Sequence, residues 1–289
     1  MSQPPVPVTQ PAYLAESPIW DAATQTLLWV DIMAGDVHRF DPASGQDSVT
    51  SVGVPVGALA TRDAGGLILA AGVGFATLNE RTGELDWLWA GGLGDRMNDG
   101  KCDPSGRFLA GTLTYARHPG ACALYRLDPA APGVATVLDG VTLSNGLGWS
   151  PAGDLMYYAD TPSEQVDVLH YDPATGEVGD RRVFVDLHDV PGRPDGLTVD
   201  SDGCIWIAMA GGAAVRKYTP DGELDHVLGF PVGLVTSVTF GGPALADLYV
   251  TTSRENLTED DLAGQPLAGS VFVVAATGVQ GLPAGTYAG

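Results

Sequence analysis

Asp200-Ser-Asp-Gly-Cys-Ile205-Trp-Ile-Ala-Met-Ala-Gly-Gly-Ala-Ala-Val215-Arg-Lys-Tyr-Thr219 reads as a turn, an apolar strand, a glycine turn and an alternating strand. That is a hairpin signature. Working outward, its first turn belongs to a series: Asp21, Asp63-Ala-Gly-Gly, Asp103-Pro-Ser-Gly, Ser150-Pro-Ala-Gly, Asp200-Ser-Asp-Gly and Gly242-Pro-Ala-Leu. Each member runs at once into a strand-like segment, such as Leu27-Leu-Trp-Val-Asp or Leu155-Met-Tyr-Tyr-Ala. A second series of six alternates with it: Val37-His-Arg-Phe-Asp, Phe75-Ala-Thr-Leu-Asn, Leu124-Tyr-Arg-Leu-Asp, Val168-Leu-His-Tyr-Asp, Val215-Arg-Lys-Tyr-Thr and Val271-Phe-Val-Val. Six units in 289 residues make about 48 residues per unit, the size of a four-stranded propeller blade and too long for an ankyrin or leucine-rich repeat. The pattern favours an all-β, six-bladed β-propeller spanning residues 1–289 as a single domain over a β-sandwich with coincidental turn spacing. Thr258-Glu-Asp-Asp-Leu262 is the one segment that reads as a helical turn. Ring closure is expected from an N-terminal strand near Pro7 to Tyr13, because a propeller must hide its first and last edges.

Composition narrows the function classes. Hydrophobic residues make up 45% of the chain and charged residues 17%, enough apolar material for a core, while 39 Gly and 21 Pro argue for many turns. A net charge of −21, with Lys101 and Lys217 the only lysines, repels phosphate backbones and anionic lipid. No nucleic-acid or membrane partner is expected. The first basic residue is Arg39, so the opening residues lack a signal peptide's charged and apolar regions. The uncharged stretch Gly65 to Leu78 is shorter than the roughly 18 residues of a membrane helix. Cys102, Cys122 and Cys204 are odd in number and widely spaced, which fits packed thiols in a reducing cytoplasm better than a disulfide framework.

Stepping back five residues from each member of the first turn series gives one equivalent position per blade: Glu16, Ala58, Asn98, Asn145, Asp195 and Ser237. These precede the strand nearest the axis and are expected to ring the mouth of the central channel. Four of the six are carboxylates or carboxamides, and two are from the chain's four asparagines. Oxygen donors converging on an axis are what a hard divalent cation requires. Glu16, Asn145 and Asp195 are the expected ligands of a central metal. The competing reading is local: Asn145-Gly146, Pro194-Asp195-Gly196 and Asn98-Asp99-Gly100 are each ordinary turn signals.

Other chemistries lack support. Gly148-Trp-Ser-Pro-Ala fails as a nucleophile elbow at its last position, and the five histidines show no metal-binding spacing. Gly72-Val-Gly74 is not followed by a helix, so a phosphate loop is not indicated. Asp200-Ser-Asp202-Gly lacks the third ligand and closing Glu of a calcium loop and is read as a hairpin turn. Trp20, Trp29, Trp149 and Trp206 are read as packing between blades.

The segments Glu16-Ser-Pro-Ile-Trp, Arg96-Met-Asn-Asp-Gly-Lys-Cys-Asp103, Gly111-Thr, Ser144-Asn-Gly-Leu-Gly-Trp-Ser150, Arg193-Pro-Asp-Gly196, Thr252-Ser-Arg-Glu-Asn-Leu-Thr-Glu-Asp-Asp-Leu and Pro266-Leu-Ala-Gly269 resemble the gluconolactonase/regucalcin (senescence marker protein) family. The match runs nearly end to end. The resemblance implies a six-bladed propeller with an axial divalent metal and hydrolysis of sugar lactones such as gluconolactone or xylonolactone. It also implies that Glu16, Asn145 and Asp195 are metal ligands and that Arg96 and Asn98 contact substrate. Two departures stand out. Thr112 to Leu127 contains no Asp or Glu where several members carry an acid that holds sugar hydroxyls, leaving Tyr115, Arg117 or His118 for that role, and Gly148 stands where many have Asp.

The expected chemistry is a cation acting as Lewis acid on the lactone carbonyl. Asp195 is the candidate general base, cation-activated water is the alternative, and Arg96 and Asn98 orient the lactone. Asp99 is left between a supporting role and a turn. The cation is calcium, zinc, manganese, magnesium or iron(II), since an oxygen-only site does not choose. A small-molecule lactone is the expected partner, with no obligatory protein partner. The alternatives are an organophosphate or other ester hydrolase on the same metal, and a non-catalytic metal- or ligand-binding propeller.

Overall fold

Residues 4–129 and 133–289 are described by the computed structural model. Within them the six expected units are six four-stranded antiparallel sheets, forming a six-bladed β-propeller. The innermost strands are Ala15–Asp21, Val56–Thr61, Arg96–Cys102, Ser144–Trp149, Arg193–Val199 and Val235–Gly241. Each packs beside the next around the axis, and the sixth packs on the first. The first turn series joins the two inner strands of each blade. At Asp200 the carboxylate holds the turn itself, accepting from the Asp202 and Cys204 amides at 3.0 and 2.9 Å and from Trp206 Nε1 at 2.9 Å. Closure is also as expected: Val6–Pro7 is the outermost strand of the sixth blade, antiparallel to Phe272–Val274.

Hydrophobic clusters fill the gaps between neighbouring blades. One sets Ala58, Ile68, Ala70 and Phe75 of the second blade against Met97, Phe108, Ala110 and Tyr125 of the third. Ring pairs cross three gaps: Phe75 to Phe108 at 5.6 Å, Trp206 to Phe240 at 5.5 Å and Trp20 to Tyr249 at 5.7 Å between centroids. Trp29 and Trp149 sit in such clusters too, but their aromatic partners, His38 and Tyr171, lie in their own blades. All three cysteines are free and buried.

The ring positions differ from expectation in one respect. They lie in the innermost strands rather than ahead of them, at or within a register irregularity in every blade. The Asn-Gly and Asp-Gly pairs are therefore not turns, and Gly100, Gly146 and Gly196 have no positive φ. What these glycines provide is room at the crowded axis. A Cβ on Gly146 would stand 2.6 Å from Leu197 N, and one on Gly196 would stand 2.5 Å from Ser237 Cβ. Because backbone closes on Gly146, the substitution Gly146→Ala is expected to cost ~3 kcal/mol or more and to lower the Tm by about 6 °C at least. Scanning calorimetry giving a Tm within about 2 °C of the parent would contradict this account.

A C-terminal strap that the turn series did not foretell covers the opposite end of the channel. Gly281 N donates to Leu245 O, Ser201 N to Gln280 O, Tyr287 N to Thr61 O and Ala288 N to Gly106 O, tying together the sixth, fifth, second and third blades. Leu282 to Gly285 help line a cavity of about 200 Å³ there. The predicted helical turn is the α-helix Glu259–Gly264, capped by Thr258, whose Oγ1 accepts from Asp261 N while Asp261 Oδ2 accepts from Thr258 N. A single turn of 3-10 helix, Thr161–Ser163, was not anticipated. Among the described residues no helix is long and apolar enough to cross a membrane.

Candidate active site

At the end of the channel opposite the strap, Glu16, Arg96, Asn98, Asn145 and Asp195 line one cavity of about 820 Å³. The irregular strands explain how they meet. A regular strand would alternate its side chains between the two faces of the sheet, whereas the bulged starts of four innermost strands turn one polar side chain each to the axis. In the first blade the bulge is strained: Ser17 adopts φ +45° immediately before Pro18. Non-glycine residues reach that region at a cost of about 1–2 kcal/mol. The strained turn sets Ser17 N against Glu16 Oε2 at 2.7 Å and Ser17 Oγ 2.7 Å from Gly57 O.

A chain of hydrogen bonds fixes the amides. Arg96 Nη1 donates to Asn98 Oδ1 at 2.7 Å and to Met97 O at 2.9 Å. Asn98 Nδ2 donates to Ser144 O at 2.7 Å and to Asn145 Oδ1 at 3.2 Å. Asn145 Nδ2 donates to Thr161 Oγ1 at 2.8 Å, and Thr161 Oγ1 donates to Pro194 O at 2.8 Å. The carboxamide of Asn145 is thus oriented from both sides, and Asn98 spends its amide group inside the protein. Arg96 Nε is buried with no hydrogen-bond partner among the described residues. Of these residues, Thr161 was missed by sequence reasoning, although Asp160-Thr-Pro-Ser is a recognisable helix-start signal.

Carboxylates crowd the axis. Burial first, then the charges of Asp195 and Asp99, push Glu16 well above the ordinary carboxylate range. Burial and the charge of Asp99 do the same to Asp195, and burial raises Asp99 despite the opposing charge of Lys101. Asp99 is therefore part of the cluster rather than a turn: its Oδ1 accepts from Gly100 N at 2.7 Å and lies 3.0 Å from Ser17 Oγ. Lys101, whose Nζ reaches across to Leu197 O at 2.8 Å, is held below the ordinary lysine value by burial. Neither the cross-channel lysine nor the acidity of the cluster follows from turn spacing.

The donors that this cluster presents to the cavity are oxygens of carboxylates and an amide. Asp195 Oδ1 is buried without a partner, Glu16 and Asp195 are disfavoured as anions by burial and by neighbouring charge, and Asn145 offers an oriented amide oxygen. Among the described residues no group of three or more His, Cys, Asp and Glu side chains is placed to hold a metal. A donor set of oxygens only is the chemistry of calcium, magnesium or manganese rather than of a thiolate or imidazole site.

The rim comes from connecting loops and the start of one innermost strand. Arg117 and Pro119 reach the cavity from the loop between the second and third strands of the third blade, Arg193 from the fifth blade, and Glu255, Asn256 and Leu257 from the sixth. Of the three residues proposed for the acid-free segment, Arg117 lines the cavity. Tyr115 N is bonded to Asp95 Oδ2 and His118 N to Thr114 Oγ1, which shapes the loop.

Residues 14–254 match the family model described as the SMP-30/Gluconolactonase/LRE-like region. Regucalcin of Xenopus laevis is 35% identical over 291 residues, covering 98% of this chain and 97% of that protein. A 6-deoxy-6-sulfogluconolactonase of Pseudomonas putida is 39% identical over 273 residues, covering 92% of each. Among solved structures, a calcium-binding regucalcin from Agrobacterium tumefaciens superposes with a TM-score of 0.91 at 27% identity, over 99% of this chain and 97% of that one.

Proposed function

This chain belongs to the SMP-30/gluconolactonase/LRE-like family, and from that membership we propose that it is a lactonase that opens a sugar lactone to the aldonic acid with the help of a divalent cation. The observation that carries the reading is the buried, unpartnered Asp195 Oδ1, set with Glu16 and an oriented Asn145 in a cavity of about 820 Å³. Glu16, Asn145 and Asp195 are the residues that would hold the cation. Bound there, it supplies Lewis acidity toward the lactone carbonyl oxygen and offsets the crowded carboxylates.

The chain's own residues account for the remaining steps. Asp195 accepts a proton from the water that adds to the carbonyl carbon. It returns that proton to the ring oxygen as the acyl C–O bond breaks, so one water is consumed and one hydroxyl and one carboxyl group form. Arg96, which lines the cavity, is the residue that would donate to a lactone oxygen. Asn98 is a positioning residue: its bonds to Arg96, Ser144 and Asn145 hold a ligand and the donor in register. The three free thiols agree with a reducing, cytoplasmic setting.

The test is pH-stat titration of acid release from gluconolactone, xylonolactone and 6-deoxy-6-sulfogluconolactone, with a phosphotriester and a simple ester as controls. Turnover of lactones with little on the controls is expected. Phosphotriester turnover exceeding that of every lactone would replace this reading with an organophosphate hydrolase, and binding without any turnover would replace it with a binding propeller.

A further inference from the structure

Taking the cavity as a lactonase site, we propose that its substrate carries an anionic group, a carboxylate, sulfonate or phosphate, and that Arg117 is the residue that selects it. Three arginines line the cavity, and they differ in what they hold. Arg96 holds Asn98 Oδ1 and Met97 O through Nη1 and is assigned to the lactone itself. Arg193 is paired with Glu164, Nε to Oε1 at 3.1 Å. Arg117 has no carboxylate within ion-pair distance among the described residues, although the chain carries 35 Asp+Glu against 14 Lys+Arg.

The loop that carries Arg117 is braced rather than slack. Tyr115 N donates to Asp95 Oδ2 at 2.7 Å, His118 N to Thr114 Oγ1 at 2.9 Å, and Gly120 N to Thr142 Oγ1 at 3.1 Å. Arg117 itself sits at the tip with φ +54°, its amide donating to Thr114 O at 2.9 Å. A non-glycine residue in that backbone region stores strain, and such strain concentrates at ligand clamps. The guanidinium lies close enough to the axis for its charge to act on both Asp195 and Arg96.

The surrounding charges leave Arg117 as the open cation of the mouth. Asp160 is occupied by the Thr142 and Leu143 amides at 3.0 and 2.8 Å. Glu255 faces in from the sixth blade, where a carboxylate suits the hydroxyls of a sugar. Thr112 to Leu127 contains no Asp or Glu, and Asp95, the acid that touches this loop, accepts from the Tyr115 amide at 2.7 Å. A neutral polyol gains little from a full positive charge at this position. A carboxylate, sulfonate or phosphate gains paired charge-assisted hydrogen bonds from the guanidinium fork. A protein of net charge −21 also needs a local cation to admit an anionic substrate.

The experiment compares kcat/KM for gluconolactone with that for its 6-sulfo, 6-phospho and 6-carboxylate counterparts, in the parent and in Arg117→Ala and Arg117→Lys. Binding of the matching non-hydrolysable sugars, glucose against glucose 6-sulfate, glucose 6-phosphate and glucuronate, is measured in parallel by calorimetry. The parent is expected to favour at least one anionic lactone by about 10-fold or more, and Arg117→Ala to reduce that anionic-to-neutral ratio by about 10- to 100-fold, chiefly through KM. Arg117→Lys is expected to restore part of the ratio, and which anion is favoured identifies its source. Hydrolysis of lactones with an anionic-to-neutral ratio that Arg117→Ala leaves unmoved would overturn the anion proposal alone. Arg117-dependent binding of the anionic sugars without turnover of any lactone would sustain it and overturn the lactonase reading. Neither binding nor turnover would overturn both.

Discussion

Replacing Asp195 with alanine is expected to lower lactone turnover by at least ~10³-fold, a loss of about 4 kcal/mol of transition-state stabilisation. The residue serves two ends in the proposed chemistry, as an oxygen donor to the cation and as the acceptor of the water's proton. Asp195→Asn separates them. The amide keeps an oxygen near the place of Oδ1 and cannot take a proton, so turnover should fall about as far while cation affinity falls less. The fold should survive both changes. Burial and the charge of Asp99 already oppose ionisation of Asp195, so removing the carboxylate relieves repulsion, and the metal-free variant should melt at or above the metal-free parent. Full activity in either variant would remove Asp195 from the site. A metal-free variant that melts well below the parent would show that its loss of activity is a loss of structure.

Stripping the protein with a chelator is expected to abolish turnover and also to lower thermal stability. A cation present at about 1,000 times its Kd stabilises the folded state by ~4 kcal/mol, which corresponds to a Tm shift on the order of 10 °C for a chain of this size. The metal-free protein should have a characteristic pH dependence. Glu16 and Asp195 have folded-state pKa values raised above the ordinary carboxylate value, so the folded state binds these protons more tightly than the unfolded state. The stability these two groups contribute is then greatest below the ordinary carboxylate range and is lost as pH rises through the raised values. Bound cation should flatten that decline, because it favours the ionised form. Adding calcium, magnesium, manganese, zinc and iron(II) back one at a time, with activity and melting followed together, identifies the metal. Unchanged activity and Tm after chelation would exclude a role for a cation in both.

Much of this protein was legible from its turns. Five of the six blades are built from strands consecutive in sequence, so their grammar is local: Asp200-Ser-Asp-Gly stops one strand and starts the next with its own carboxylate as the brace. Repeating that grammar six times is what made the propeller readable, and a constant offset from each turn to the axis made Glu16, Asn98, Asn145 and Asp195 readable as one ring. The errors fell where local preference met axial crowding. Asn145-Gly146 and Asp195-Gly196 carry the residues of a turn, yet they form bulged strand, where the next blade, through backbone at Gly146 and through Ser237 at Gly196, leaves no room for a Cβ.

By itself, then, the sequence determined the number of blades, the closure of the ring and the identity of the polar residues at its mouth, all of which follow from spacing along the chain. Tertiary structure alone decided what those residues do to one another. Thr161 orients Asn145 from a 3-10 turn, Asp99 adds a third carboxylate, Lys101 crosses to Leu197, and Arg117 is left over the cavity without a carboxylate partner among the described residues. Hydrogen-bond direction, desolvation and charge repulsion depend on distances between blades far apart in sequence, and no one-dimensional pattern encodes those distances.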